Sequence, residues 1–212
     1  MAQSISTRPG RLTKGQATRR AILEAAERHF AVEGFEMAKL DAVAEDAGIR
    51  QAAIFYHFPS KRDLFHAVTG DIHASLMAVT EARLHGLADP WEQLTALTET
   101  WLDFMVARPT AAHLILRACA GLSSACAYPA NYSVAATEML RAILDRGMAQ
   151  GRFRRVNPMH LVNLLSGSIL HYVCNPALVG RAPEYSPDDP REMASFKNIL
   201  GQTARGILAD AS

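Results

Sequence analysis

Residues 39–58, KLDAVAEDAGIRQAAIFYHF, constrain this chain most, because a glycine falls between two short helix-forming runs. Leu40, Val43, Ala44 and Ala47 recur at helical spacing and mark one apolar face. Gly48 follows where a helix ends in left-handed backbone, which a residue without a Cβ adopts with least strain. After Ile49, residues 50–57 predict a second short helix. Ile54 and Phe58 are its anchors, with Phe55 read as scaffold beside them, and Arg50, Gln51, Tyr56 and His57 are polar groups that reach outward. Helix, glycine turn, short helix is the helix-turn-helix arrangement, in which the second helix enters the major groove of DNA. The same spacing also occurs in plain helical hairpins. Phe58-Pro59-Ser60-Lys61 narrows the choice: proline stops the helix and Ser60 caps another, with Asp63 at its third position.

The longer segment AILEAAERHFAVEGFEMAKLDAVAEDAGIRQAAIFYHFPSKRDLFHAV resembles the DNA-binding domain of TetR-type transcriptional regulators. The resemblance is most specific at IFYHFPSKRDLF and at the landmarks Phe30, Gly34-Phe35 and Ala47-Gly48-Ile49. It implies an all-α fold, with an N-terminal three-helix helix-turn-helix domain followed by a larger helical domain for ligand binding and dimerisation. The expected division is a flexible basic arm at 1–15, the DNA-binding domain at 16–76 and the second helical domain at 77–212.

The resemblance also assigns roles. Tyr56, His57 and Lys61 match positions that hold the phosphate backbone. Two departures stand out. Ala38-Lys39 replaces a usual Ser/Thr pair, so a lysine is expected to meet phosphate where a hydroxyl cap is missing. Arg50 replaces a usual Ser, giving up the cap for a fork-shaped donor to guanine or phosphate. Gln51 can pair with adenine, and Ala52 and Ala53 keep the reading face low, so that their methyls can touch thymine.

Charge supports this reading locally and not globally. The formal net charge of the 212 residues is only +1, yet residues 1–20 hold Arg8, Arg11, Lys14, Arg19 and Arg20 and no acidic residue. That is a footprint for a phosphate backbone, or a solubilising tail. A first helix is expected over about residues 18–33, with Ile22, Ala25, Ala26, His29 and Phe30 as its stripe. Thr18 stands at its predicted start, either as a cap or as a phosphate contact.

Beyond residue 61 the pattern predicts longer helices at about 62–85, 90–107, 110–122, 132–149, 158–174 and 190–210. The first of these carries Leu64, Phe65, Val68, Ile72, Leu76 and Val79 at helical spacing. Asp89-Pro90 forms a cap with proline at the first helical position. Leu161, Leu164, Leu165, Ser168, Ile169 and Tyr172 fall on one face, and Met193, Phe196, Leu200, Thr203 and Ile207 recur at 3, 4, 3 and 4. Two readings fit: the helices close the core of one chain, or they pair with a second copy in a four-helix bundle. The resemblance favours the homodimer. Its expected interface is Leu161, Leu165, Ser168, Tyr172, Met193, Phe196, Leu200, Thr203 and Ile207.

No GxSxG, HExxH, P-loop or GxGxxG motif occurs, so the chain is read as a non-enzyme with no catalytic residues, cofactor or metal. The resemblance implies a small-molecule cavity in the middle helices for a largely apolar effector. Candidate lining residues are Trp101, Phe104, Met105, His113, Leu116, Cys119, Tyr132, Met139 and His171. Cys119, Cys126 and Cys174 are an odd set without CxxC spacing, which fits a reduced, cytoplasmic setting. The polar N-terminus has no secretory pattern, and residues 161–174 are too short and too polar for a membrane span.

The expected function is a homodimeric repressor bound to palindromic double-stranded operator DNA and released by a small molecule. Two rivals share the scaffold. One is a redox or metal sensor using Cys119, Cys126 or Cys174. The other is a helical scaffold or enzyme with a vestigial DNA module.

Overall fold

A computed structural model describes residues 13–119, 130–174 and 186–209, leaving out the side chains of residues 130–134. Every regular element among the described residues is a helix: α1 (Lys14–Met37), α2 (Leu40–Asp46), α3 (Gln51–His57), α4 (Lys61–Leu84), α5 (Pro90–Ala107), α6 (Pro109–Cys119), α7 (Ala130–Ala149), α8 (Pro158–Cys174) and α9 (Pro190–Leu208). Arg8, Arg11, Cys126 and the Tyr132 side chain lie outside the described residues, as do residues 1–12 of the predicted arm.

The first helix begins earlier than its apolar stripe implies. Thr13 caps it in a reciprocal box: its hydroxyl accepts from the Gln16 amide at 3.2 Å, and Gln16 Oε1 accepts from the Thr13 amide at 2.9 Å. Residues 13–17 are exposed, so no apolar periodicity announces this turn. Thr18 therefore stands in the second turn and is not a cap; its hydroxyl donates to the Lys14 carbonyl at 3.0 Å. At the other end Gly34 leaves helical geometry with φ +80 and turns the chain toward α2.

The N-terminal helix-turn-helix domain closes around aromatic rings. Phe65 of α4 meets Phe30 and Phe35 edge-on, at 5.2 and 5.3 Å between centroids. Ile22, Ala25, Ala26, Val43, Ile54 and Leu64 are buried with them. Gly48 sits at φ +67, its amide donating to Glu45 and that of Ile49 to Ala44 at 3.0 and 2.9 Å. Those two bonds form the Schellman closure that glycine permits, and they fix the angle between α2 and α3. Arg28 of α1 pairs with Asp46 at the end of α2 at 2.8 Å.

In the C-terminal helical domain α5 packs against α4, α6, α7, α8 and α9. Asp89 caps it, accepting from the Trp91 and Glu92 amides at 2.7 and 3.2 Å, with Pro90 at the first helical position. The predicted seam of α9 faces inward onto this helix. Leu200 is buried, Lys197 pairs with Asp103 at 2.6 Å, and Phe196 stacks on Tyr172 of α8 at 4.2 Å between centroids. No helix among the described residues is long and apolar enough to cross a membrane.

Candidate nucleic-acid interface and ligand cavity

The turn between α2 and α3 presents the outward set that the sequence predicts. Lys39, Arg50, Gln51 and Ala52 are exposed, and Ala53 and His57 are half-buried. Tyr56 is 87% exposed, its ring edge-on to His57 at 5.2 Å. Lys39 and Arg50 stand at the helix starts without a side-chain cap bond, as their substitution for hydroxyl residues implies. Neither side chain is committed to capping, and both are exposed.

Two residues of this region differ from expectation. Phe55 is 47% exposed, so it belongs to the presented surface, not to the scaffold with Ile54 and Phe58. Seven residues of helix give only one inward position per turn, and Ile54 takes it. Lys61 turns back on its own domain: its ammonium donates to the Glu36 carbonyl at 3.0 Å and lies 5.0 Å from the centre of the Phe35 ring. It satisfies a carbonyl at the frayed end of α1, where the backbone has left helical geometry and its partners with it.

A cavity of about 260 Å³ opens between α4, α5, α6, α7 and α8. Of the candidate lining residues, Trp101, Met105 and Cys119 belong to its wall. Phe104, His113, Leu116, Met139 and His171 do not, and Tyr132 lies outside the described side chains. Helix facing explains the failures. On α6 the wall is Ile115 and Cys119, one turn apart, so Leu116 points aside, and His113 folds onto its own helix with Nδ1 donating to the Pro109 carbonyl at 2.8 Å. Phe104 and Met139 fill the surrounding packing, and His171 is exposed. The sequence reading missed Ile72, His73 and Leu76 of α4 and Val162, Asn163, Ser166, Ile169 and Leu170 of α8. The 3–4 spacing of Ile72 and Leu76 gave the inward face but could not say that a void lies beyond it.

The candidate dimer residues sort differently again. Leu161, Leu165, Tyr172 and Leu200 are buried inside one chain, and Ser168, Met193, Phe196, Thr203 and Ile207 are half-buried there. Their apolar spacing reports the core of one chain, which removes the first four from any contact with a second copy. The exposed large apolar groups of these two helices are instead Met159, Leu164 and Ile199, at 44%, 41% and 53%. Val79 of α4 is likewise exposed, against expectation.

Two polar links that no motif announced join the N-terminal domain to the α5–α6 joint. Glu27 of α1 is buried, and its carboxylate accepts from Arg108 Nε at 2.9 and 3.1 Å. Arg108 also reaches Asp71 of α4 at 2.7 Å, and Thr110 donates to Glu27. Burial works against the Arg108 charge, but its hydrogen bonds to Glu27 and then to Asp71 outweigh that and hold its pKa above the ordinary value. Further along α6, Arg117 donates to the Ala31 and Val32 carbonyls at 3.2 and 2.8 Å, just before the break at Gly34.

The cysteines are placed apart in character. Burial pushes the Cys174 thiol up to about 11, which keeps it protonated and unreactive at neutral pH. Cys119 is exposed at the end of α6. Among the described residues no three His, Cys, Asp or Glu side chains gather as metal ligands would.

Comparison with known proteins adds the following. The sequence model described as "Bacterial regulatory proteins, tetR family" matches residues 22–68, and that described as "Tetracyclin repressor-like, C-terminal domain" matches residues 90–203. The chain is 30% identical over 148 residues to the HTH-type transcriptional repressor NicS of Pseudomonas putida, covering 68% of this chain and 69% of that protein. To the uncharacterized HTH-type transcriptional regulator YdgC of Bacillus subtilis it is 33% identical over 97 residues, 44% of this chain and half of that protein (50%). Among solved structures, AibR in complex with isovaleryl coenzyme A and operator DNA has a similar fold. The TM-score is 0.69 at 19% identity, covering 88% of this chain and 97% of that one.

Proposed function

Because the chain belongs to the TetR family of bacterial transcriptional regulators, we propose that it is a homodimeric repressor, released from a palindromic operator by a small molecule bound in the cavity of its C-terminal helical domain. It acts in the cytoplasm, where that operator lies. In this reading α3 of each subunit enters a major groove, and the two copies stand about 34–36 Å apart, one turn of DNA. Gln51 and Arg50 read base edges. Tyr56, His57 and Lys39 hold phosphates, which position the helix without reading sequence.

One observation carries the coupling of ligand to DNA. The same helix, α4, packs Phe65 into the aromatic cluster of the DNA-binding domain and supplies Ile72, His73 and Leu76 to the cavity wall. A helix is stiff over this length, so a ligand that displaces the wall at Ile72 must also move Phe65. Arg108 and Arg117 give the motion a second route, since both tie the α5–α6 joint and α6 to α1 while Ile115 and Cys119 of α6 face the cavity. The ligand acts only through its preference for one of the two arrangements.

Dimerisation is assigned to the outer faces of α8 and α9. On α8 the exposed residues His160, Leu164, Gly167 and His171 follow helical spacing, and on α9 Ser195, Asn198, Ile199 and Gln202 do the same. Two such faces from each chain make a four-helix bundle, with Leu164 and Ile199 as its apolar contacts.

The test is operator affinity measured by fluorescence anisotropy with and without a molecule that has been shown to occupy the cavity. Occupation is expected to weaken binding by tenfold or more, about 1.4 kcal/mol of coupling. Unchanged affinity at saturation would contradict the release mechanism.

A further inference from the structure

The outward face of α3 is a short stripe. Gln51, Ala52, Phe55 and Tyr56 are exposed, whereas Ile54 and Phe58 are buried behind them and Ala53 and His57 are half-buried at the flanks. Exposure at i, i+1, i+4 and i+5 marks one side of a helix, so these four side chains stand together. Ala53 is therefore turned away from the centre of the reading face, and Phe55 occupies it, 47% exposed.

The stripe is short of hydrogen-bonding groups. Gln51 offers an amide with donor and acceptor, and Tyr56 a single hydroxyl. Ala52 and Phe55 offer neither. Single exposed apolar residues are ordinary on protein surfaces, and what distinguishes Phe55 is its place, in the middle of the face that meets DNA in the reading above. A polar base edge pressed against its ring would lose water and gain no partner. The major groove carries one apolar group on its base edges, the C5-methyl of thymine, and phenylalanine is among the side chains that suit it. The register follows from helix geometry. Phe55 lies four residues, about 6 Å of rise, beyond Gln51, and base pairs stack about 3.4 Å apart. The two side chains thus reach pairs that are one or two steps apart.

Building on the reading that α3 enters a major groove, we propose that Phe55 is a specificity-determining residue, which reads the C5-methyl group of a thymine one or two base pairs from the pair that Gln51 contacts. Ala52 lies between them on the same face, and its small side chain lets the phenyl ring come close to the base edges. Preference for thymine over cytosine at this position then comes from a methyl contact and not from hydrogen bonds. A 5-methylcytosine presents the same group and is read in the same way.

The experiment uses the full-length protein and the operator selected from a random pool of duplexes, with affinity measured by fluorescence anisotropy. Each thymine is replaced in turn by deoxyuridine, which removes the methyl and keeps the pairing. One position in each half-site is expected to lose roughly fourfold in affinity, the transfer worth of one methyl group. In Phe55→Ala that position becomes indifferent to the replacement, and in Phe55→Leu, which keeps an apolar contact, part of the preference remains. Cytosine and 5-methylcytosine compared at the same position show the same roughly fourfold gain from the methyl with the wild-type chain and none with Phe55→Ala, which separates methyl contact from altered duplex stiffness. The wild-type scan needs no variant, and Phe55→Leu replaces Phe55→Ala if thermal melting shows the latter to be unfolded. An operator indifferent to every uracil replacement would overturn the assignment. So would a uracil penalty that persists unchanged in Phe55→Ala, which would move the methyl contact to Ala52 or leave the phenyl ring packed on deoxyribose. A pool that yields no enriched sequence would sink the operator reading itself, whereas an enriched operator without a methyl effect sinks only the role of Phe55.

Discussion

Arg108, at the joint of α5 and α6, grips the buried carboxylate of Glu27, 81 residues earlier in α1, with Nε 2.9 Å from one oxygen and 3.1 Å from the other. The pair matters because α1 is the scaffold of the DNA-binding domain, whereas α5 and α6, which meet at this joint, line the cavity with Met105 and Ile115.

Removing one member of this pair leaves the other buried and alone. A fully buried pair broken in this way loses about 3–5 kcal/mol, and the Arg108 side chain is 26% exposed, so the expected loss for Arg108→Met is about 2 kcal/mol. Asp71, 47% exposed, contributes far less, and Asp71→Asn is expected to change stability by under about 0.5 kcal/mol. Urea denaturation of the two variants measures the difference. Equal effects would show that the Glu27 contact does not hold the joint.

Gly48 holds the α2–α3 turn at φ +67, and a Cβ added there meets no atom within 4 Å. The cost of Gly48→Ala is therefore backbone strain alone, about 1 kcal/mol, and Gly48→Asn should cost less. Thermal melting reads this directly. A loss of several kcal/mol would mean that the turn meets a neighbour absent from this structure.

Base readers and phosphate holders should separate in binding data. Gln51→Ala is expected to relax preference at one base pair by about 1–3 kcal/mol while leaving the salt dependence unchanged. Lys39→Ala should weaken every duplex alike and reduce the slope of log affinity against log salt by about 1. The two variants failing in the same way would erase the distinction between the helix starts and the reading face.

Lys61 belongs with stability. Its ammonium already satisfies the Glu36 carbonyl and covers the Phe35 ring, so Lys61→Met is expected to lower stability by about 1 kcal/mol and leave the salt slope of DNA binding unchanged. A reduced slope with unchanged stability would return Lys61 to the phosphate backbone.

The helix-turn-helix was legible in the sequence because its signals are local. Gly48, Pro59 and the Ser60 cap each fix backbone within a few residues, and Ser60 does accept from the Asp63 amide at 3.1 Å. The reading failed where a face had to be matched to a partner. Leu161, Leu165 and Leu200 have the spacing of an interface, but spacing says only that a face is buried, and here one chain buries it. Glu27 was invisible for the opposite reason: a carboxylate on an apolar stripe looks like a solvated edge until Arg108 arrives from 81 residues away. The cavity wall mixes both lessons. Trp101 and Met105 were candidates only because the resemblance implied a cavity among the middle helices, whereas Ile72 and Leu76 read as ordinary core.

The central claim is that two copies of the α3 surface read DNA at a fixed distance. Selection of bound duplexes from a random pool, using the full-length protein, tests it most directly. The account predicts a palindrome whose half-sites are centred about one helical turn, some 10 base pairs, apart, with enrichment lost in Gln51→Ala. An asymmetric single site, or no enriched sequence at all, would contradict it.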